Sequence, residues 1–162
     1  MIILRTGAGA FLRNSGKILL IKRSKTKKIA PGVWSCIGGH MEPREINNPL
    51  GACLREVEEE TGIPAAEIHS LELLYIMIRR RGNEISHYYI YFGETRQTDL
   101  VQTEEGHLLW IPEEELANRE YTETFAAMID HYISRKEQDR ALYVGVAENE
   151  SGKLRMNWAK CN

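Results

Sequence analysis

The chain is poor in cysteine: Cys36, Cys53 and Cys161 are the only three in 162 residues, and they lie far apart. That pattern excludes a disulfide framework and a cysteine metal knuckle, and it fits a reducing compartment. No apolar run is long enough to span a membrane as a helix. The opening Met1-Ile2-Ile3-Leu4-Arg5 has neither the basic start nor the long apolar stretch of a secretory leader, so a cytoplasmic location is expected. An excess of one charge is also missing. Lys and Arg number 21 against 23 Asp and Glu, a formal net charge of −2, which argues against general nucleic-acid binding. There is no Asp/Asn-Gly calcium loop, internal repeat or low-complexity segment.

What is present is an ordinary folded composition, 43% hydrophobic and 27% charged. The length suits one domain over residues 1–162 with a sizeable core. Strands are expected at residues 2–13 and 17–22 around Asn14-Ser15-Gly16, at 71–79 and 87–94 around a polar tip at 80–84, and at 108–111. Helices are expected at 49–61, 113–117 and 122–134, the last with Phe125, Met128, Ile129 and Tyr132 on one side. Strands at 141–147 and 154–159 make a C-terminal β-hairpin around a Ser-Gly turn. Runs of strands around helices predict an α/β (α+β) fold with a mixed β-sheet sandwiched between helices.

The helix at 49–61 carries the chemistry. Asn48 supplies a cap, Pro49 a first position and Gly62 a stop. At about 100° per residue, Leu50, Cys53, Leu54, Val57 and Thr61 fall on one stripe that would face a core. Glu56, Glu59 and Glu60 share another face, where like charges repel unless a counter-charge is present. Just upstream, Gly38-Gly39-His40-Met41-Glu42-Pro43-Arg44-Glu45 sets a glycine turn beside them. Hard divalent cations need several oxygen ligands on one surface, and this segment supplies that surface.

The order of these residues resembles the Nudix box, G-x5-E-x7-R-E-U-x-E-E-x-G-U with U a bulky aliphatic residue. Gly39 and Glu45 fit its first part, and Arg55-Glu56-Val57-Glu58-Glu59-Glu60-Thr61-Gly62-Ile63 fits its second. Nine residues separate Glu45 from Arg55 where the pattern has seven, and the extra pair falls around residues 46–49, ahead of the helix. Pro31-Gly32-Val33-Trp34 before Gly38-Gly39 also resembles the family's lead-in. The resemblance covers about residues 1–135 and leaves 136–162 as an extension. It implies the Nudix fold and a Mg²⁺- or Mn²⁺-dependent hydrolase of a diphosphate joined to some other group. It also implies that Glu56, Glu59, Glu60 and the carbonyl of Gly38 hold metal, while Arg55 braces the box and Glu45 orients its loop. The base for the attacking water is implied to be a box glutamate or one on a later loop, which makes Glu56, Glu59, Glu104 and Glu105 the catalytic candidates. Dimers are common among relatives, so a homodimer is an open arrangement.

Candidate substrate contacts are Arg23 and Lys25, from a basic loop that also carries Lys22, Lys27 and Lys28 and leads into Pro31-Gly32, with Trp34 as a stacking surface and His40 beside the glycine turn. Arg79-Arg80-Arg81 reads as a solvated hairpin tip. Two other classes stay open. A non-catalytic Nudix-like nucleotide sensor shares the scaffold but typically loses box glutamates, which are all present here. An isopentenyl-diphosphate-isomerase-like enzyme needs a cysteine directly before a Gly-His pair, whereas Ile37-Gly38 separates Cys36 from Gly39-His40. The proline marker of ADP-ribose hydrolases is replaced by Ile78, and Arg79–Arg81 occupy the region of the tyrosine found in dinucleoside polyphosphate hydrolases. The expected partner is a nucleoside di- or triphosphate, then a nucleotide sugar.

Overall fold

Asn14-Ser15-Gly16 turns the chain as its residue types demand. Ser15 and Gly16 take φ of 51° and 76°, the paired left-handed geometry with which a two-residue turn matches strand twist. They join β1 (Ile3–Asn14) to β2 (Lys17–Arg23). β1 stays with β2 only over residues 12–14; over residues 7–10 it pairs instead with β4 (Ile37–His40), which follows the short strand β3 (Trp34–Ser35). The expected glycine turn is therefore a strand. The reason is space: a Cβ on Gly38 would lie 2.4 Å from the Ala8 carbonyl oxygen, and one on Gly9 would lie 2.7 Å from the Cys36 sulfur. Without side chains at either place, the two strands close in.

The computed structural model describes residues 1–135 and 138–161. β5 (Ile68–Arg81) and β6 (Glu84–Thr95) meet through Gly82-Asn83 alone, so the tip expected at 80–84 is shorter and Arg81 and Glu84 belong to strands. β7 (Gly106–Pro112) pairs with β2, and β8 (Leu142–Glu150) and β9 (Lys153–Cys161) form the C-terminal hairpin. The main path of the sheet runs β3-β2-β1-β6-β5-β8-β9. β1 with β6 and β5 with β8 are parallel pairs, so the sheet is mixed. The extension expected over 136–162 thus continues the sheet from β5, while residues 136, 137 and 162 lie outside the described residues. Two register shifts interrupt β5 against β6, between His69 and Glu72 and between Leu73 and Tyr75.

Alternation along β1 sends residues to two faces. Ala8, Ala10 and Leu12 pack with Ala52, Cys53 and Val57 of α1 (Pro49–Thr61). Phe11 packs with Phe92 and with Met128 and Ile129 of α2 (Glu123–Ser134). The sheet is therefore sandwiched between helices, as in the expected architecture. A 3-10 turn, Glu113–Asn118, stands where a short helix was expected. The core stripe of α1 also differs from expectation: Ala52 is buried, while Leu50 is 44% exposed, because Leu50 stands at the edge of the buried arc in the first turn. No helix among the described residues is long and apolar enough to cross a membrane.

α1 ends where the sequence says it should. Gly62 takes φ 78° and donates its N–H to the Glu58 carbonyl at 2.8 Å, a left-handed cap that costs a residue with a Cβ about 1–2 kcal/mol. A Cβ there would also approach Val101 to 2.8 Å. Gly62→Ala should lower the urea-unfolding free energy by at least about 1 kcal/mol; an unchanged midpoint and slope would show that the cap is dispensable.

Candidate active site

Arg55 organises the acidic end of the site. Its Nε and Nη2 donate to the two oxygens of Glu45 at 2.8 and 2.9 Å, a bidentate fork. Its Nη1 donates to Glu56 at 2.8 Å and Glu59 at 3.1 Å, and Nη2 also reaches the His40 carbonyl at 3.2 Å. The longer loop between Glu45 and Arg55 is absorbed without breaking this arrangement. A 3-10 turn, Pro43–Glu45, is closed by the Glu42 N–H donating to Glu45 at 2.8 Å, and Asn48 caps α1 by accepting from the Gly51 N–H at 3.1 Å. The Arg55 hydrogen bonds, then that of Glu42, hold the Glu45 carboxyl down at about 2. The same contact with Glu45 pushes the Arg55 guanidinium up.

The three carboxylates expected on one helix face separate in the structure. Glu59 is well exposed, Glu56 is largely covered, and Glu60 is only 8% exposed. Glu60 turns toward β4 and accepts the Gly38 N–H at 3.0 Å. Burial, reinforced by the charges of Glu56 and Glu105, pushes the Glu60 carboxyl up to about 7. Burial raises Glu56 as well, against the pull of Arg55. Gly39 is bare because the Glu56 carboxylate lies where its side chain would be: a Cβ would meet Glu56 Oε2 at 2.6 Å.

These groups border a cleft of about 810 Å³. Glu56, Glu59, Glu60, Gly38, Gly39 and His40 line one end, and Glu105 joins them from the loop before β7. Glu104 is exposed and outside the cleft lining, so the two candidate loop glutamates part company. Lys27 pairs with Glu105 at 2.5 Å. Arg23 and Trp34 also line the cleft; Trp34 has Lys22 Nζ at 5.7 Å and Arg119 Cζ at 5.4 Å from its ring centroid. Lys25 is exposed and outside the lining, and Lys27 of the same loop takes its place. Sequence reasoning missed the far end of the cleft, where Arg5, Arg79, Arg81, Tyr88 and Phe125 gather. The available signal was strand alternation carried through to Arg81, which puts Arg79 and Arg81 on the side of Met77.

Among the described residues, no three acidic, His or Cys groups already enclose a cation-sized space. Arg55 draws Glu56 and Glu59 to itself, and the Gly38 N–H holds Glu60. The donors nonetheless fit a hard divalent cation in kind. They are carboxylate oxygens and the Gly38 carbonyl at one cleft end, with more negative charge than Arg55 balances.

A sequence profile of the NUDIX domain matches residues 3–132. The chain belongs to the Nudix family. It is 36% identical over 96 residues to the m7GpppN-mRNA hydrolase NUDT17 of Xenopus laevis, a match covering 56% of this chain and 30% of that protein. The chain thus spans less than a third of the length of that curated relative. Among solved structures, the mutator MutT protein from Bacillus halodurans superposes with a TM-score of 0.73 at 18% identity, covering 96% of this chain and 97% of that one. The NUDIX domain of Shewanella oneidensis NrtR, solved with ADP ribose, superposes at 0.62 with 17% identity over 83% and 88%. These likenesses place the Nudix fold of this chain among MutT and Nudix structures.

The raised Glu60 carboxyl predicts that the stability of this Nudix domain depends on pH. A folded-state value near 7, against 4.5 unfolded, favours the folded state below pH 4.5 and withdraws that stability as pH rises to about 7, on the order of 3 kcal/mol. With chelator present, the urea midpoint should fall between pH 5 and pH 8, and Glu60→Gln should flatten the fall. A variant retaining the full fall would place its source elsewhere.

Proposed function

We propose that this Nudix protein hydrolyses a diphosphate linkage in a nucleotide derivative, with Mg²⁺ or Mn²⁺ held by Glu56, Glu59, Glu60 and the Gly38 carbonyl. The observation that carries this reading is the convergence of three box carboxylates and Glu105 on one cleft end beside Gly38-Gly39. The cation, when bound, supplies neutralisation of the diphosphate and a water acidified toward neutrality. The remaining work belongs to the chain. Arg55 holds Glu56 and Glu59 from one guanidinium edge while Glu45 fixes the other. Glu105, released from Lys27, takes the proton of the attacking water. Arg23 and Lys27 face the phosphate oxygens, and Trp34 offers a flat wall to the base. Phosphoryl transfer is catalysed largely by positioning and charge, which is what these residues provide.

The named relatives support the same class: an mRNA-cap hydrolase and a domain holding ADP ribose both meet phosphoanhydride-linked nucleotides. An isomerase using Cys36 fits less well. Cys36 lines the cleft, but burial and then the Glu60 charge push its thiol up to about 12, so it stays protonated at neutral pH.

Hydrolysis is read by phosphate or pyrophosphate release from nucleoside triphosphates, nucleotide sugars, ADP ribose and dinucleoside polyphosphates, with Mg²⁺ or Mn²⁺ and with chelator. Turnover should need the cation and should fall by orders of magnitude in Glu59→Gln. Glu105→Gln should lower kcat about 10²–10⁴-fold, and Glu104→Gln should leave it within a factor of about three. Near-normal activity in Glu59→Gln would sink the ligand assignment. Equal effects of the two loop variants would remove Glu105 as the base.

A further inference from the structure

The cleft has a second, basic end that the hydrolytic reading does not use. Residues on β1, β6 and β5 stand side by side in rows facing α2. Gly9, Ile90 and Tyr75 make one row; Gly7, Tyr88 and Met77 the next; Arg5, Ser86 and Arg79 the third. Glu84 and Arg81 extend the series by one more step. Gly7 and Gly9 leave the β1 side of this trough without side chains, and the Tyr88 ring fills the space over Gly7, where a Cβ would lie 2.5 Å from it. Phe125 meets Tyr88 edge-on at 6.3 Å. Gly9 lies opposite Gly38 at the carboxylate end. At 3.3 Å per residue the arginine row is therefore about 13 Å along β1 from that end.

The arginines are held in readiness. The Arg79 side chain is 12% exposed; its Nη1 donates to Thr124 at 3.1 Å and its Nη2 to Glu123 at 3.0 Å, and its buried Nε has no partner. Arg5 Nε donates to Glu84 at 2.5 Å. Arg81 lines the cleft, and its exposed side chain has no hydrogen-bond or ion-pair partner among the described residues. Glu84 and Glu123 thus balance two of three guanidinium groups, and both carboxylates are open to solvent, at 31% and 61%. A phosphate, with more charge and three acceptor oxygens, competes well for such groups because planar guanidinium forks match it bidentately.

We propose that this end binds a second phosphate, carried on the ribose of a nucleotide 5′-diphosphate derivative, so that the substrate is anionic at both ends, with Tyr88 and Phe125 lining the trough on the arginine side. The proposal rests on the hydrolase reading above and deepens it by naming the substrate class. Acidic residues at one end and arginines at the other set the polarity of the molecule that fits, and the long arginine side chains reach back from their row toward it.

ADP and adenosine 3′-phosphate 5′-diphosphate, with its 2′-phosphate isomer, differ by the group in question. Their binding is measured by calorimetry with Mg²⁺ in a Glu59→Gln background, so that nothing turns over. The background protein is compared with Arg81→Ala and Arg81→Lys. At least one phosphorylated compound should bind tenfold tighter than ADP, Arg81→Ala should erase most of that preference, and Arg81→Lys should restore part of it. With the native Glu59, the kcat/KM ratio should follow the same order. Equal affinities for all three compounds, or an Arg81→Ala loss common to all, would overturn the proposal whether or not turnover is seen. An Arg81-dependent preference with no hydrolysis of any compound in Mg²⁺ or Mn²⁺ would keep the basic site and remove the hydrolase reading instead.

Discussion

The site depends on how closely β4 lies against β1. Gly9 and Gly38 face each other in register, and neither position has room for a methyl group. That approach leaves the Gly38 N–H aimed at α1, where Glu60 accepts it, and it leaves Gly39 as the surface against which Glu56 rests. Helix, strand and carboxylates are thus located by missing side chains more than by added contacts. The same poverty of side chains continues along β1 to Gly7, where the Tyr88 ring takes up the space.

Charge works against the fold at this point. Three carboxylates, Glu45, Glu56 and Glu59, crowd around one guanidinium, and only Glu45 is satisfied by a full fork. Glu60 is buried beside the core with a single backbone donor. An isolated chain would gain stability by replacing it with an apolar residue of similar volume. Local rules are broken here, and broken rules in an otherwise consistent fold mark the places where function is kept.

The helix was legible because its information is local. Asn48, Pro49 and Gly62 bound it in the sequence as they do in space, and the box spacing places its glutamates. The surrounding strands were legible from alternation, apart from β3, which is two residues long, and β4, which is short and half glycine; neither carries a period. What stayed hidden depends on register between distant segments. Nothing local says that Arg5 stands beside Ser86 and Arg79, because β1 and β6 pair in parallel across most of the domain. Nor does composition separate Glu105 from Glu104 or Lys27 from Lys25; one residue of phase in a loop decides which side chain faces the cleft. The two extra residues of the box lie between Glu45 and α1, and Glu45 still forks onto Arg55.

β5 is one strand by hydrogen bonding but two by phase. Its register shifts at residues 69–75 separate a first part that follows α1 from a second part, Tyr75 onward, that shares rows with β6 and β8. Extra residues in a bulge are taken up by local bending and are not passed along the ladder. The segment leaving the box helix can therefore gain or lose length over evolutionary time without turning Met77, Arg79 and Arg81 to the opposite face. A lineage could retune the packing beneath its box helix and the arginine-bearing end of its cleft as separate inheritances carried on a single strand.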